Sequence, residues 1–413
     1  MNSSSSFRPN GAEDTAIGTV AGGPGEVFRA FLKLGLTSFG GPIAHLGYFR
    51  DELVLRRRWI DEAGYADLVA LCQFLPGPAS SQVGFALGLL RGGPLGALAA
   101  WCAFTLPSAA LLILFAFGAS AFGGAVGAGL IHGLKLVAVA VVAQAVWGMA
   151  CSLTPDKPRA AIALLCVLVV VFAAGAPGQI AAILLGGLLG LWLCRDQQAV
   201  SPSHLAFPIA RWVGLLNLAL FVLLLAGLPL ASATSGLHGV ALFDAFYRAG
   251  ALVFGGGHVV LPLLEAAVVP PGWIGPDAFL AGYGAAQAVP GPLFSFAAFL
   301  GAAMTPPPNG LAGAAICLVA IFAPGLLLVT GALPFWNDLR RHPLAQAMMR
   351  GANAAVVGIL ASALYDPVWT GAVLNPRDFA VALIGFVLLT VWKTRPWVVV
   401  VLTAASGVGL ALL

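Results

Sequence analysis

The sequence predicts an all-α, polytopic membrane protein made of two oppositely oriented copies of one unit, with helices broken at matching places. Three observations carry that expectation. Of the 413 residues, 60% are apolar and only 9% are charged, against roughly 25% charged in soluble domains. Apolar runs of about 20 residues, the length that spans hydrocarbon, recur along the chain. Finally, two glycine–proline breaks in the first half return in the second at the same spacing.

Residues 1–25 are rich in Ser, Gly and Pro and lack a basic n-region or an apolar h-region. They read as a disordered tail, with no cleaved signal peptide. Residues 26–194 form the first copy. Its runs are 26–49, broken at Gly40-Gly41-Pro42, and 65–90, broken at Pro76-Gly77-Pro78, then 95–121, 129–151, 159–175 and 179–194. Residues 195–238 are a linker, polar over 195–207, with one plain connecting span at 212–228. Residues 239–413 form the second copy, with runs at 242–268, 277–304, 311–333, 345–365, 379–392 and 398–413. Phe39-Gly40-Gly41 aligns with Phe254-Gly255-Gly256, Trp59 with Trp273, and Gln73 with Gln287. Pro76-Gly77-Pro78 aligns with Pro290-Gly291-Pro292, Ser81 with Ser295, and Gly133-Leu134-Lys135 with Gly351-Ala352-Asn353.

Basic residues mark cytoplasmic loops. Arg50 and Arg56–Arg58, then Lys157 and Arg159, then Arg195 and Arg211 share one side only if an even number of crossings separates them. The run broken at Pro76-Gly77-Pro78 is therefore expected to be a re-entrant hairpin. The span 212–228 then inverts the second copy, whose loops at Pro270-Pro271-Gly272 and Pro306-Pro307-Pro308 carry no basic residue. Arg340-Arg341 and Lys393 return inside if its broken runs are hairpins too. About nine to thirteen full crossings are compatible with this scheme.

Broken helices repeated in inverted copies point to the binding site of a secondary transporter. A half-helix starting after Gly41 or Pro78 presents bare N–H groups and a positive dipole end, which suit an anion. The expected binding set is Gly40, Gly41, Pro42, His45, Pro76, Gly77, Pro78, Ser80, Ser81 and Gln82 in the first copy. In the second it is Gly255, Gly256, His258, Gln287, Pro290, Gly291, Pro292, Ser295 and Asn353. Lys33, Lys135 and Arg248 join it, because a charge inside a span usually faces a cavity or a partner. His45, His258 and Glu265 are the candidates for a coupled proton. Such donors favour a small oxyanion over a cation, which would need converging carboxylates. An isolated Gly-Pro break is commonly a packing kink, and Arg56–Arg58 reads first as a topology signal. Trp59 and Trp273 read as interfacial anchors.

Several classes are excluded or disfavoured. The net charge of +4 is small and distributed as topology, so nucleic acid is not an expected partner. Six cysteines without C-x-x-C spacing read as free thiols and not as a disulfide framework or metal site. No Walker A loop, G-x-S-x-G or H-E-x-x-H is present, so neither an enzyme nor a cofactor is expected.

Phe39-Gly40-Gly41-Pro42-Ile43-Ala44-His45, Arg50-Asp51-Glu52, Trp59 and Pro76-Gly77-Pro78-Ala79-Ser80-Ser81-Gln82 resemble the chromate ion transporter family. Phe254-Gly255-Gly256-Gly257-His258 with Pro290-Gly291-Pro292 resembles that family's second-half motif. The resemblance covers nearly the whole chain in the long, two-domain form. It implies chromate export driven by the proton motive force across a bacterial inner membrane, with sulfate as the close analogue. The second copy departs from the first, with Gly257 in place of Pro42 and no arginine triplet. The expected partners are thus chromate or sulfate, protons and the bilayer, and a homodimer is compatible with them. The rival expectations are an oxyanion uptake carrier and a passive anion channel.

Overall fold

The structure is a computed structural model that describes residues 22–119, 124–173, 175–195, 209–254, 257–339 and 342–412. Residues 1–21, most of the polar stretch 195–207, Gly255-Gly256 and Arg340-Arg341 lie outside the described residues. Every regular element among the described residues is helical, as the composition predicts. Five helices are long and apolar enough to cross a membrane: Ala79–Gly118, Gly124–Leu153, Arg211–Ser235, Gly310–Phe335 and Pro343–Ala372. The protein is an all-α, multi-pass membrane protein.

The order of elements repeats. The first series is Pro24–Thr37, Gly41–Phe49 continued as the π-helix Arg50–Arg56, Glu62–Phe74, Ala79–Ala119, Gly124–Leu153, Lys157–Phe172 and Ala176–Leu193. Arg211–Ser235 connects it to the second. That series is His238–Ala251, Gly257–Val259 leading into Val260–Val268, Pro276–Ala286, Phe296–Ala303, Gly310–Ala332, Pro343–Ala363, Pro376–Thr390 and Pro396–Leu412. Ala79–Ala119 is two helices joined at Gly92-Gly93, whose dihedrals leave the helical region just before Pro94. The second copy has the non-helical stretch 304–309 at that place.

The first four helical pieces of each copy fold into two hairpins. A helix of 14 residues such as Pro24–Thr37 is about 21 Å long, short of the ~30 Å hydrocarbon core. The indole of Trp59 donates to Glu26 at 3.2 Å. Arg91 pairs with the same carboxylate at 3.1 Å and lies 5.6 Å over the Trp59 ring. Residues 24–56 and 62–91 therefore begin and end at one place, with their breaks at the far tips. The run broken at Gly40-Gly41-Pro42 folds back as well, where the charge pattern singles out the other run alone. In the second copy His238 packs edge-on against Trp273 at 4.7 Å, and the Thr305 N–H donates to the Trp273 carbonyl at 3.1 Å. The hairpins 238–268 and 276–303 close in the same way.

The remaining helices pair across the copies. Gly124–Leu153 packs on Pro396–Leu412, and the equivalent helix Pro343–Ala363 packs on Ala176–Leu193. Small residues set these distances: Gly129 faces Gly407, and Gly351 faces Gly186 and Gly190, so close that a Cβ would strike backbone. The connecting helix starts with Arg211 over the Phe335 ring at 5.9 Å. At its other end Gly239 rests against Pro308. It thus runs antiparallel to Gly310–Ala332.

Candidate functional site

Two reciprocal hydrogen bonds bring the tips together. The N–H of Gly77 donates to the Val253 carbonyl at 2.7 Å, and the N–H of Gly291 donates to the Ser38 carbonyl at 2.9 Å. Ser38 and Val253 each immediately precede the Phe-Gly-Gly of their own copy. The second break of each copy is thereby bonded to the first break of the other. Glycine is required here: Gly77 and Gly291 have φ of 121° and 100°, values that side chains rarely adopt.

The prolines Pro107 and Pro324 lie inside the long helices beside the tips. Gly77 stands against Gly325, and Gly291 against Ser108. The amide of Gln82 donates to Pro76 O and Gly325 O, each at 3.0 Å, tying the first copy's break to the second copy's long helix. Pro42 faces Gly257, where a Cβ would lie 3.3 Å from its ring.

A cavity of about 20 Å³ remains between the tips, lined by Gly40, Gly41, His258, Gln287, Gly291 and Pro396 among others. That is room for about one water, so a tetrahedral oxyanion requires the tips to part. The His258 Nδ1 lies 2.8 Å from the Tyr283 hydroxyl. The N–H groups of Gly40 and Gly41 have no backbone acceptor among the described residues. Around the tips His45 Nδ1 is 3.3 Å from Ser80 Oγ, and its ring packs edge-on to Phe104 at 5.3 Å. Ser38 Oγ, Ser81 Oγ, Gln82 Oε1 and Thr105 Oγ1 are buried without a protein partner among the described residues. Leaving such a group unsatisfied costs about 1–3 kcal/mol.

Not every expected donor is free. The Gly77 and Gly291 N–H groups are taken by the cross-copy bonds and both Gln82 amide hydrogens by carbonyls. Ser295 Oγ donates to Pro292 O at 2.7 Å. Gly77, Gly291 and Gln82 hold the tips together, Ser295 closes its own turn, and none of these hydrogens is free for an anion in this conformation. Gly255 and Gly256 lie outside the described residues.

The cationic candidates do not line the tip cavity, and each holds a carboxylate. Lys33 bonds Glu52 at 2.8 Å, Lys135 bonds Asp277 at 2.8 Å, and Arg248 clasps Asp244 at 2.6 Å. Asn353 keeps a buried, unpartnered Oδ1 on Pro343–Ala363. Glu265, half-buried, lies within electrostatic reach of Asp366 and does not line the tip cavity. Residues that sequence reasoning did not single out are Tyr283, Pro396, Ser38, Thr105 and Ser108.

Glu52 is 7% exposed and also accepts from Arg56 at 3.1 Å and Arg57 at 2.9 Å. Burial pushes its carboxyl up, but hydrogen bonds from Lys33 and Arg57 and the charges of Lys33 and Arg56 outweigh that and hold it at about 2. A depressed folded-state value contributes stability that is complete above the ordinary 4.5 and is lost as pH falls towards 2. The melting-temperature gap between wild type and Glu52→Gln should therefore stay constant from pH 8 to about 5.5 and close on acidification below that. A gap unchanged at pH 3 would contradict this assignment.

The family described as "Chromate transporter" matches the chain twice, over residues 25–191 and 240–408. A "Probable chromate transport protein" of Synechococcus elongatus is 30% identical over 406 residues, which is 93% of this chain and 94% of that protein. The "Chromate transport protein" of Pseudomonas aeruginosa is 29% identical over 98% of this chain and 96% of its own length. That of Cupriavidus metallidurans is 27% identical over 86% of each. No solved structure gives a significant match. With the family pattern present in both halves and the two sets of breaks bonded tip to tip, the chain belongs to the chromate transporter family.

Proposed function

We propose that this protein is a secondary transporter that carries chromate outward across a bacterial inner membrane, driven by the proton motive force. The observation that carries the reading is the reciprocal pair Gly77–Val253 and Gly291–Ser38, which gathers four interrupted helices from two copies at one point. Two further features support it. Relatives named as chromate transport proteins match nearly end to end, which points to transport and not to catalysis. The meeting of the breaks tip to tip supports inverted copies, in which 24–56 and 62–91 enter as re-entrant hairpins from one face, and 238–268 and 276–303 from the other.

In this reading the dianion binds where the tips meet, once they part. The Gly40 and Gly41 N–H groups at the start of Gly41–Phe49 offer bare donors and a positive helix end. Gln287 Nε2 and the hydroxyls of Ser38, Ser81 and Thr105 complete the shell, with Ser80 behind His45 and Pro42, Pro76, Pro78, Pro290 and Pro292 holding the breaks open. Among His45, His258 and Glu265, His258 is the best-placed proton carrier, because it lines the cavity and is oriented by Tyr283. Alternating access then exchanges the cross-copy bonds for bonds to the ion as one copy rocks against the other.

Purified protein in proteoliposomes tests the reading. Chromate flux should saturate and rise at least fivefold when an opposing pH gradient is imposed. His258→Gln should keep saturable flux while losing most of that stimulation. Unsaturable flux would favour a channel, and flux indifferent to the gradient would remove proton coupling.

A further inference from the structure

The second copy holds a cavity of about 360 Å³, walled among others by Asp244, Arg248, Ala266, Ala267, Pro271 and Trp273. At the repeat spacing of 214 to 215 residues, these positions correspond in order to Arg29, Lys33, Asp51, Glu52, Arg57 and Trp59 of the first copy. There the corresponding side chains engage one another. The Glu52 carboxylate lies buried between Lys33 and Arg57, and the Arg57 guanidinium stands 5.8 Å over Trp59. In the second copy alanine stands at the glutamate's place and proline at the arginine's, so the pocket opens beside Arg248.

Arg248 therefore keeps the place of Lys33, with alanines where the lysine's carboxylate stands. Asp244, one turn back on the same helix, engages Nε at 3.0 Å and Nη2 at 2.6 Å. A guanidinium carries five donors, and Nη1 finds no protein acceptor among the described residues. The side chain is 39% exposed, whereas that of Asp244 is 5% exposed. Arg248 and Trp273 thus line a space many times the volume of the tip cavity.

We propose that this cavity binds a doubly charged tetrahedral oxyanion at Arg248, in the position that the Glu52 carboxylate holds against Lys33 in the first copy. The first copy carries its own anion, and the second takes one from solution. Asp244 offsets part of the arginine charge, which keeps the binding weak and reversible, as a vestibule on a transport route needs. The role as vestibule rests on the transport reading, whereas the binding itself does not.

Equilibrium dialysis of radiolabelled chromate against detergent-purified full-length protein tests it. Wild type should show a component that Arg248→Gln weakens at least tenfold, with sulfate competing for it. Arg248→Gln strips a buried Asp244 of its partner, so a second variant is needed. Ala266→Glu or Ala267→Glu keeps that pair and returns a carboxylate to the cavity, and it should remove the same component from a protein that still elutes as a folded peak. Chromate binding that Gly41→Val leaves untouched, with the Arg248 component present, would sink the tip site and spare this one. Chromate binding unchanged by the carboxylate variants would overturn the proposal, as would a component displaced by phosphatidylglycerol and not by sulfate.

Discussion

Replacing Gly77 by alanine is expected to lower chromate flux at least tenfold and to destabilise the fold by about 2–4 kcal/mol, the sum of dihedral strain of order 1–3 kcal/mol and a weakened buried hydrogen bond. At φ 121° an added Cβ would lie 3.0 Å from both Gly325 Cα and Gln82 Nε2. The tip can relieve that only by withdrawing from Val253, which breaks one of the two cross-copy bonds. Gly291→Ala should behave alike, since its Cβ would meet Ser108 Oγ at 2.9 Å. Gly272 and Gly236 supply the control: their φ values are 75° and 63°, with nothing within 4 Å of an added Cβ. Alanine there should cost about 1 kcal/mol of strain and leave flux near wild type. Melting temperature in detergent and flux in proteoliposomes separate the two groups. Equal losses at all four glycines would show that generic strain, and not the tip contact, governs transport.

The second large effect is expected at Gln82. Its amide spans Pro76 O in the first copy and Gly325 O in the second. Gln82→Leu fills a similar volume while orphaning a buried carbonyl at Gly325 and a partly buried one at Pro76, a loss of about 2–6 kcal/mol at 1–3 kcal/mol for each. Flux should fall at least tenfold per correctly inserted molecule. Gln82→Asn is too short to reach both carbonyls and should recover at most part of it. Full flux in Gln82→Leu would mean that the bridge does not align the tips.

The helical membrane class and the breaks were legible in the sequence because both depend on local chemistry: apolar length for the spans, missing N–H groups and glycine φ for the interruptions. Trp59 and Trp273, read as anchors, do mark where hairpins close, Trp59 beneath Arg91 and Trp273 beside His238. The partners of the donors were not legible. Nothing in Pro76-Gly77-Pro78 says that its N–H reaches Val253, or that Gln82 looks across to Gly325, because those acceptors are about 180 and 240 residues away and only packing selects them. The cations show the same limit. A charge in an apolar run signals either a cavity or a partner, and Lys33 took its partner from the π-helix Arg50–Arg56 and Lys135 from the first turn of Pro276–Ala286. Asp244–Arg248 was within reach, since a spacing of four residues on a helix places an ion pair on one face. Tyr283 carried a faint signal, one turn before Gln287 inside an apolar run. Pro396 carried none, as it joins the cavity from the last helix.

Chromium is an anomalous scatterer, so a crystal grown with chromate locates the ion without ambiguity. The expected result is an anomalous peak where the tips meet, within hydrogen-bonding reach of the Gly40 and Gly41 N–H groups and of Gln287, with the bonds Gly77–Val253 and Gly291–Ser38 lengthened to admit it. A fully occupied chromium peak elsewhere, with both cross-copy bonds intact and the tip cavity no larger, would contradict the account.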